Sequence, residues 1–129
     1  MLPEQDMKYL KERWPGHHVE RQGGQVLVVL PGYRLPARFE PREVDLLLIL
    51  AFGFPETKPD MFWVDPVVTV SGHAPLTADL RQEFVGRTWQ RFSRHLPEGA
   101  WRRGDNLRSW VTFIGTMLER EATTGQLAA

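Results

Sequence analysis

The stretch from Glu43 to Phe52 limits the possible folds more than any other segment. It begins with alternating polar and apolar residues and is wholly apolar over seven residues, from Leu46 to Phe52. This pattern suits a central strand that is covered on both faces. The apolar run is also far shorter than the roughly 20 residues that a membrane-spanning helix needs. We therefore expect a covered central strand and no membrane-spanning segment.

The first half of the chain contains a helix and further strands around this central one. Pro3 to Arg13 predicts a short helix, with a proline in the tolerated first turn. His17 to Arg21 and Gln25 to Leu30 predict two strands, joined by a tight turn at Gly23-Gly24. Met61 to Val64 predicts a fourth strand after a proline-rich turn.

The second half changes to a helical period. Residues from Phe84 to Phe92 have a spacing that fits a helix or helical turns, and residues from Leu107 to Leu118 keep i, i+3, i+4, i+7 spacing. Asp105 or Asn106 can cap the second of these helices. Strands that come first and helices that follow predict an α+β fold. We expect one domain over residues 1–121 and a short flexible tail over 122–129.

Composition excludes several kinds of chemistry. The 129 residues include no cysteine, which excludes disulfides, thiolate metal sites and a cysteine nucleophile. His17 and His18 point to opposite faces of a strand, so we predict no metal site. The 16 basic and 16 acidic residues balance, which argues against a dedicated nucleic-acid binder. Since the N-terminus is polar and charged, unlike a signal peptide, we expect a cytoplasmic protein.

Three landmarks follow one another along the chain. A proline-bearing turn from Phe54 to Pro59 precedes the fourth strand, His73-Ala74-Pro75 follows that strand, and Trp101 precedes the last helix. This order resembles that of ubiquitin-conjugating (E2) enzymes, and PDMFWVDP with GRTWQRFSRHL resembles their bacterial relatives, encoded beside ubiquitin-like proteins and E1-like enzymes. The resemblance implies a UBC/E2-like fold, with an N-terminal helix, a four-stranded antiparallel meander and C-terminal helices.

The resemblance also implies a site. In ordinary E2 enzymes the nucleophilic cysteine lies eight residues before this tryptophan, and that position is Ser93 here. It implies an E2-type transferase that accepts a ubiquitin-like C-terminus from an E1-like enzyme as an oxyester on Ser93 and passes it to a target. A serine needs an adjacent general base, and His95 and His73 are the candidates. No glycine-rich phosphate loop is present, so activation is left to the E1 and no cofactor is expected.

Other residues are candidates for partner binding. Arg91, Arg94 and Trp101 form a basic and aromatic region that suits a carboxylate-terminated protein partner. Lys8 and Lys11 lie on the polar side of the first helix, which helps to dock the E1 in E2 proteins. The same arginine-rich half could form a nucleic-acid surface, but core aromatics with solvated arginines between them are the favoured interpretation.

The chemistry at Ser93 leaves alternatives open. Ser93 is a native nucleophile, a structural serine of a buried helix stripe, or a replacement for a cysteine. Pairing with His95 requires the chain to leave the predicted helix by Phe92. The absent cysteine, together with the absence of an asparagine near position 75, is the basis for an alternative function. In this alternative the protein is a catalytically inactive E2 variant, a scaffold that binds the ubiquitin-like protein or the E1.

Asp60 and Asp65 flank the fourth predicted strand. They are candidates for catalytic carboxylates, but aspartates at strand ends are more often turn residues, and we favour that interpretation.

Overall fold

A computed structural model describes the backbone of residues 2–128 and the side chains of residues 2–123. Two helices flank a run of strands. The helices are α1 (Glu4–Arg13) and α2 (Leu107–Ala128). The strands are β1 (His18–Gln22), β2 (Gln25–Arg34), β3 (Phe39–Glu40), β4 (Glu43–Ala51), β5 (Phe62–Asp65), β6 (Thr69–Val70), β7 (Leu80–Phe84) and β8 (Arg87–Phe92). This arrangement confirms the α+β class.

Six of the strands form one antiparallel sheet with the order β1-β2-β4-β5-β8-β7, and β3 pairs with β6 in a small second sheet. The predicted central strand is confirmed, because β4 lies between β2 and β5 in the sheet. It ends at Ala51, one residue earlier than expected. Its apolar run is explained by burial on both faces of the sheet.

The two faces carry separate apolar clusters. On one face, α1 and α2 pack against the sheet through Leu10, Trp110 and Ile114, all fully buried. On the other face lies a smaller cluster of Leu27, Val29, Leu47, Trp63 and Trp89. The hairpin β7–β8 completes this smaller cluster, since Trp63 Nε1 donates to Gln82 Oε1 at 2.8 Å and its ring lies edge-on to Phe84.

The helix predicted from Phe84 to Phe92 is wrong. This segment is part of the hairpin β7–β8, whose two turn residues, Val85 and Gly86, have φ of 50° and 73°. Positive φ at both central residues is the geometry of the tight turns that match strand twist. Trp89 and Phe92 then face opposite sides of the sheet rather than one helical stripe. Among the described residues, α2 is therefore a single C-terminal helix, not one of several, and the sheet gains a hairpin.

The C-terminal helix begins at a well-defined cap. Asn106 is the N-cap residue, since its Oδ1 accepts from the Ser109 N–H at 3.0 Å while Ser109 Oγ accepts from the Asn106 N–H at 3.1 Å. The apolar spacing predicts this helix as far as Leu118, and the structure extends it to Ala128, with Ala122 still packed on the core. Most of the expected tail, 122–129, is thus helical as far as Ala128. The domain boundary at 121 stays a prediction.

Within the described residues, no helix has the length and apolar character required to cross a bilayer.

Asp6 ties the two helices together. Its Oδ1 accepts a hydrogen bond from the Leu107 N–H at 3.2 Å, at the first residue of α2. The side chain is buried and its Oδ2 has no partner in the described part of the chain. Burial raises the pKa of Asp6, and the Leu107 N–H opposes this rise. The acceptor oxygen of Asp6 therefore stabilises the fold through the Leu107 N–H, whereas its buried negative charge is destabilising.

This arrangement predicts opposite results for two substitutions. Because the native state binds the Asp6 proton more tightly than the unfolded state, stability should fall as pH rises through the window up to the raised pKa. Asp6→Asn keeps an acceptor and removes the charge, so it should exceed wild type in stability at pH 7, with the difference shrinking in acid. Asp6→Ala should be less stable than Asp6→Asn by about 1 kcal/mol, since the Leu107 N–H loses its acceptor. Urea unfolding at several pH values measures both; equal pH dependence in wild type and Asp6→Asn would contradict the account.

Candidate functional site

The candidate site forms where β5 begins and β8 ends. Phe62, the first residue of β5, pairs with Phe92, the last residue of β8. Antiparallel register then brings the residues before Phe62 beside those after Phe92. The Met61 N–H donates to the Arg94 carbonyl oxygen at 3.0 Å, which continues the strand pairing beyond the sheet. The predicted nucleophile and its predicted base, Ser93 and His95, both lie in this extension.

Ser93 is half-buried and directly follows β8. Its N–H donates to the Thr77 carbonyl oxygen at 2.9 Å, and its Oγ accepts from Arg91 Nε at 3.1 Å. The Arg94 N–H donates to the Phe92 carbonyl oxygen at 2.9 Å, a γ-turn hydrogen bond that bends the chain at Ser93. Ser93 is therefore not on a helix, and a cationic donor lies against its hydroxyl oxygen.

His95 pairs with a carboxylate that the sequence analysis interpreted as a turn residue. The distance from His95 Nδ1 to Asp60 Oδ1 is 2.5 Å. The His95 side chain is 64% exposed and that of Asp60 is 45% exposed. In the part of the chain that the structure describes, His95 and Ser93 make no hydrogen bond to each other. Ser93 and His95 thus lie in one short segment, but their side chains contact different residues, Arg91 and Asp60.

Arg94, between them, points toward α2. It forms an ion pair with the buried carboxylate of Glu121, whose other oxygen accepts from the Leu76 N–H at 3.3 Å. Burial lowers the pKa of the Arg94 guanidinium. This pair fixes the segment that carries Ser93 and His95 against the C-terminal helix. Partner binding by Arg94 stays a prediction; in the structure its side chain pairs with Glu121.

A cleft of about 170 Å³ borders His95 on the side of α2. Its lining consists of Leu76, Arg94, His95, Met117, Arg120 and Glu121. Leu76 is 56% exposed, an apolar side chain open to solvent beside the histidine.

His73 lies in the chain segment next to the site. Ser71 and Gly72 form a tight turn with positive φ, and His73 exchanges backbone hydrogen bonds with Val70 at 2.7 and 2.9 Å. Its imidazole is exposed. The chain then runs on to Thr77, whose carbonyl oxygen receives the Ser93 N–H. The segment that begins at His73 is therefore adjacent to Ser93.

The structure brings two of the sequence landmarks into contact. Trp101 Nε1 donates to the Pro55 carbonyl oxygen at 2.7 Å, and its ring centroid lies 5.9 Å from that of Phe54. The predicted partner-binding lysines are elsewhere, since Lys8 and Lys11 line a depression on the outer side of α1. Among the described residues, no group of three or more potential ligands could hold a metal ion.

Two residues contribute to the site in a way that the sequence did not indicate: Asp60, which was considered as a catalytic carboxylate but favoured as a turn residue, and Glu121, which was not considered. Asp60 is 35 residues from His95 in the chain, and Glu121 is 27 residues from Arg94. The pairing register of β5 and β8 would have indicated that Asp60 lies near His95. The prediction of a helix over residues 84–92 excluded this pairing of strands. Asp65, the other aspartate considered, contacts Arg87 at 3.1 Å on a different part of the sheet.

Comparison with known proteins identifies the family to which the chain belongs. A family model of prokaryotic E2 proteins matches residues 2–121, nearly the whole chain. The chain belongs to prokaryotic E2 family E. This confirms the resemblance to bacterial E2-like proteins. The search of curated proteins gives no match, and neither does the search of solved structures.

Proposed function

We propose that this protein is an E2-like carrier with a UBC-like fold, which accepts the C-terminus of a ubiquitin-like protein as an oxyester on Ser93. Membership of prokaryotic E2 family E supports an E2-like role. The observation that carries the assignment to Ser93 is the 3.1 Å hydrogen bond from Arg91 Nε to its Oγ. Because the guanidinium occupies an acceptor site, the hydroxyl hydrogen stays free to be donated, and the nearby positive charge stabilises a developing alkoxide.

The proposed step is an acyl transfer from an E1-bound thioester. Ser93 Oγ attacks the thioester carbonyl, the bond from that carbon to the E1 sulfur breaks, and a bond to Oγ forms. The proton of the hydroxyl passes through a histidine to the departing E1 thiolate. His95 is the first candidate for this histidine and His73 the second, since each lies on a segment adjacent to Ser93. An amine of the target protein then attacks the ester and restores the hydroxyl.

The scaffold function is the second candidate, and a specific observation favours it. In the described part of the chain, Ser93 Oγ makes no hydrogen bond to an imidazole, which a hydroxyl prepared for attack would make. A protein of this kind would bind the ubiquitin-like protein or the E1 and form no covalent bond.

Adduct formation decides between the two. The protein is incubated with ATP and with an E1-like enzyme and a ubiquitin-like protein encoded by neighbouring genes, and intact mass is measured. We expect an adduct that survives reducing agent, is cleaved by hydroxylamine and is absent in Ser93→Ala. Ser71→Ala is the matched control, because Ser71 Oγ makes no hydrogen bond within the described residues. Partner binding without any adduct would establish the scaffold, and an undiminished adduct in Ser93→Ala would exclude this residue.

A further inference from the structure

We propose that Asp60 is a positioning residue, which holds the proton of His95 on Nδ1 and leaves Nε2 free to accept the proton of the attacking hydroxyl. This inference rests on the proposed carrier function and gives Asp60, which the sequence favoured as a turn residue, a role in positioning His95. It concerns the geometry of the base, whereas the carrier function concerns the nucleophile.

The position of Asp60 follows from strand register. Phe62 pairs with Phe92, so Asp60, two residues before Phe62, lies beside the residues that follow β8. The backbone hydrogen bond from Met61 to Arg94 locks the two segments together on this side. Asp60 and His95 are thus brought together by the sheet itself and not by the meeting of two mobile loops.

Local backbone strain marks the same place. Met61, next to Asp60, has a φ of 61°, a left-handed conformation that a side chain such as methionine rarely adopts. Residues in this conformation cost on the order of 1–3 kcal/mol each. Arg38, Ser71, Thr77 and Val85 share a positive φ, so this strain by itself assigns no function. The Met61 backbone is held by its hydrogen bond to Arg94 and by packing of its side chain on the smaller apolar cluster, which keeps the neighbouring Asp60 beside the segment that carries His95.

The chemistry of the pair fixes the tautomer. An ionised carboxylate only accepts hydrogen bonds, so a neutral imidazole beside it must carry its hydrogen on the nitrogen that faces the carboxylate. At His95 that nitrogen is Nδ1. The lone pair of Nε2 then remains available, on a side chain that is 64% exposed, to accept the proton of the Ser93 hydroxyl. This is the role of the aspartate in hydrolytic triads, where it orients the base and is not itself protonated.

The chain supplies an internal reference with the opposite geometry. His18 faces Glu20 through Nε2, at 3.2 Å from Oε1, so its neutral form should carry the hydrogen on Nε2. One spectrum of the imidazole nitrogens therefore compares both arrangements in the same sample.

The test combines nitrogen NMR with adduct kinetics. In ¹⁵N-labelled protein at a pH where imidazoles are neutral, we expect protonated Nδ1 at His95 and protonated Nε2 at His18. Asp60→Asn should move His95 away from the Nδ1-protonated form and slow adduct formation by on the order of 10²-fold, the lower end of a general-base contribution. Asp65→Asn, at the other end of β5, should change neither.

The outcomes separate this inference from the carrier function. Protonated Nε2 at His95 in the wild type, or adduct formation at the wild-type rate in Asp60→Asn, would overturn the role of Asp60 while leaving Ser93 as the carrier. A wild-type protein with protonated Nδ1 that forms no adduct would instead overturn the carrier function, and the effect of Asp60→Asn on the spectrum would still decide whether Asp60 orients the imidazole.

Discussion

Arg94→Ala is expected to lower the free energy of unfolding by about 3–5 kcal/mol, the cost of leaving the buried carboxylate of a half-buried ion pair without its partner. The Glu121 side chain is only 3% exposed, and without Arg94 it keeps one neutral donor among the described residues, the Leu76 N–H at 3.3 Å. A carboxylate left in this position has lost most of its hydration and its counter-charge together. The melting temperature should fall by roughly 10–20 °C, as measured by calorimetry or circular dichroism.

A matched control and a double substitution sharpen this prediction. Arg120→Ala removes an exposed arginine from the same cleft and should change stability by no more than about 0.5 kcal/mol. Arg94→Met combined with Glu121→Leu removes both charges and should recover most of the loss, because apolar replacement of a whole buried pair is often neutral. Equal losses in Arg94→Ala and Arg120→Ala would show that the ion pair does not hold the site segment against α2.

Much of the fold was predictable from local patterns. The apolar run of β4 and the helical spacing from Leu107 to Leu118 each permit one structure, and both predictions are confirmed apart from their ends. The segment 84–92 was not predictable in this way, because its apolar residues fit a helix as well as two short strands. The deciding feature is the turn at Val85-Gly86, and a valine with positive φ gives no signal in a sequence, since β-branched residues avoid that region.

The candidate site was predictable only in part, for a related reason. Ser93 was predicted through the resemblance to E2 enzymes, which fixes its distance from Trp101 along the chain, and His95 is close to Ser93 in sequence. Asp60 and Glu121 depend on which strands and helices become neighbours, and sequence spacing does not encode this. With β8 in place of the helix predicted for 84–92, the observed register of β5 and β8 brings Asp60 opposite Arg94, and its side chain then reaches the neighbouring His95.

The second prediction with a large expected effect concerns the kind of bond formed at Ser93. In Ser93→Cys the bond between the carrier and the ubiquitin-like C-terminus should be a thioester instead of an oxyester. A cysteine with a pKa near 8.5 is partly ionised at neutral pH, whereas a serine hydroxyl is not, so the variant should also be loaded faster. Its side chain differs from serine by one atom, and the backbone hydrogen bond from position 93 to Thr77 is unaffected.

The most direct test of the central claim is the chemical lability of the two adducts. Wild-type protein and Ser93→Cys are loaded in parallel with E1, ATP and the ubiquitin-like protein, treated with excess thiol at neutral pH and analysed by intact mass. We expect the wild-type adduct to persist and the Ser93→Cys adduct to be lost within the same treatment. An adduct of Ser93→Cys that resists thiol as well as that of the wild type would place the bond on another residue and contradict the assignment of Ser93.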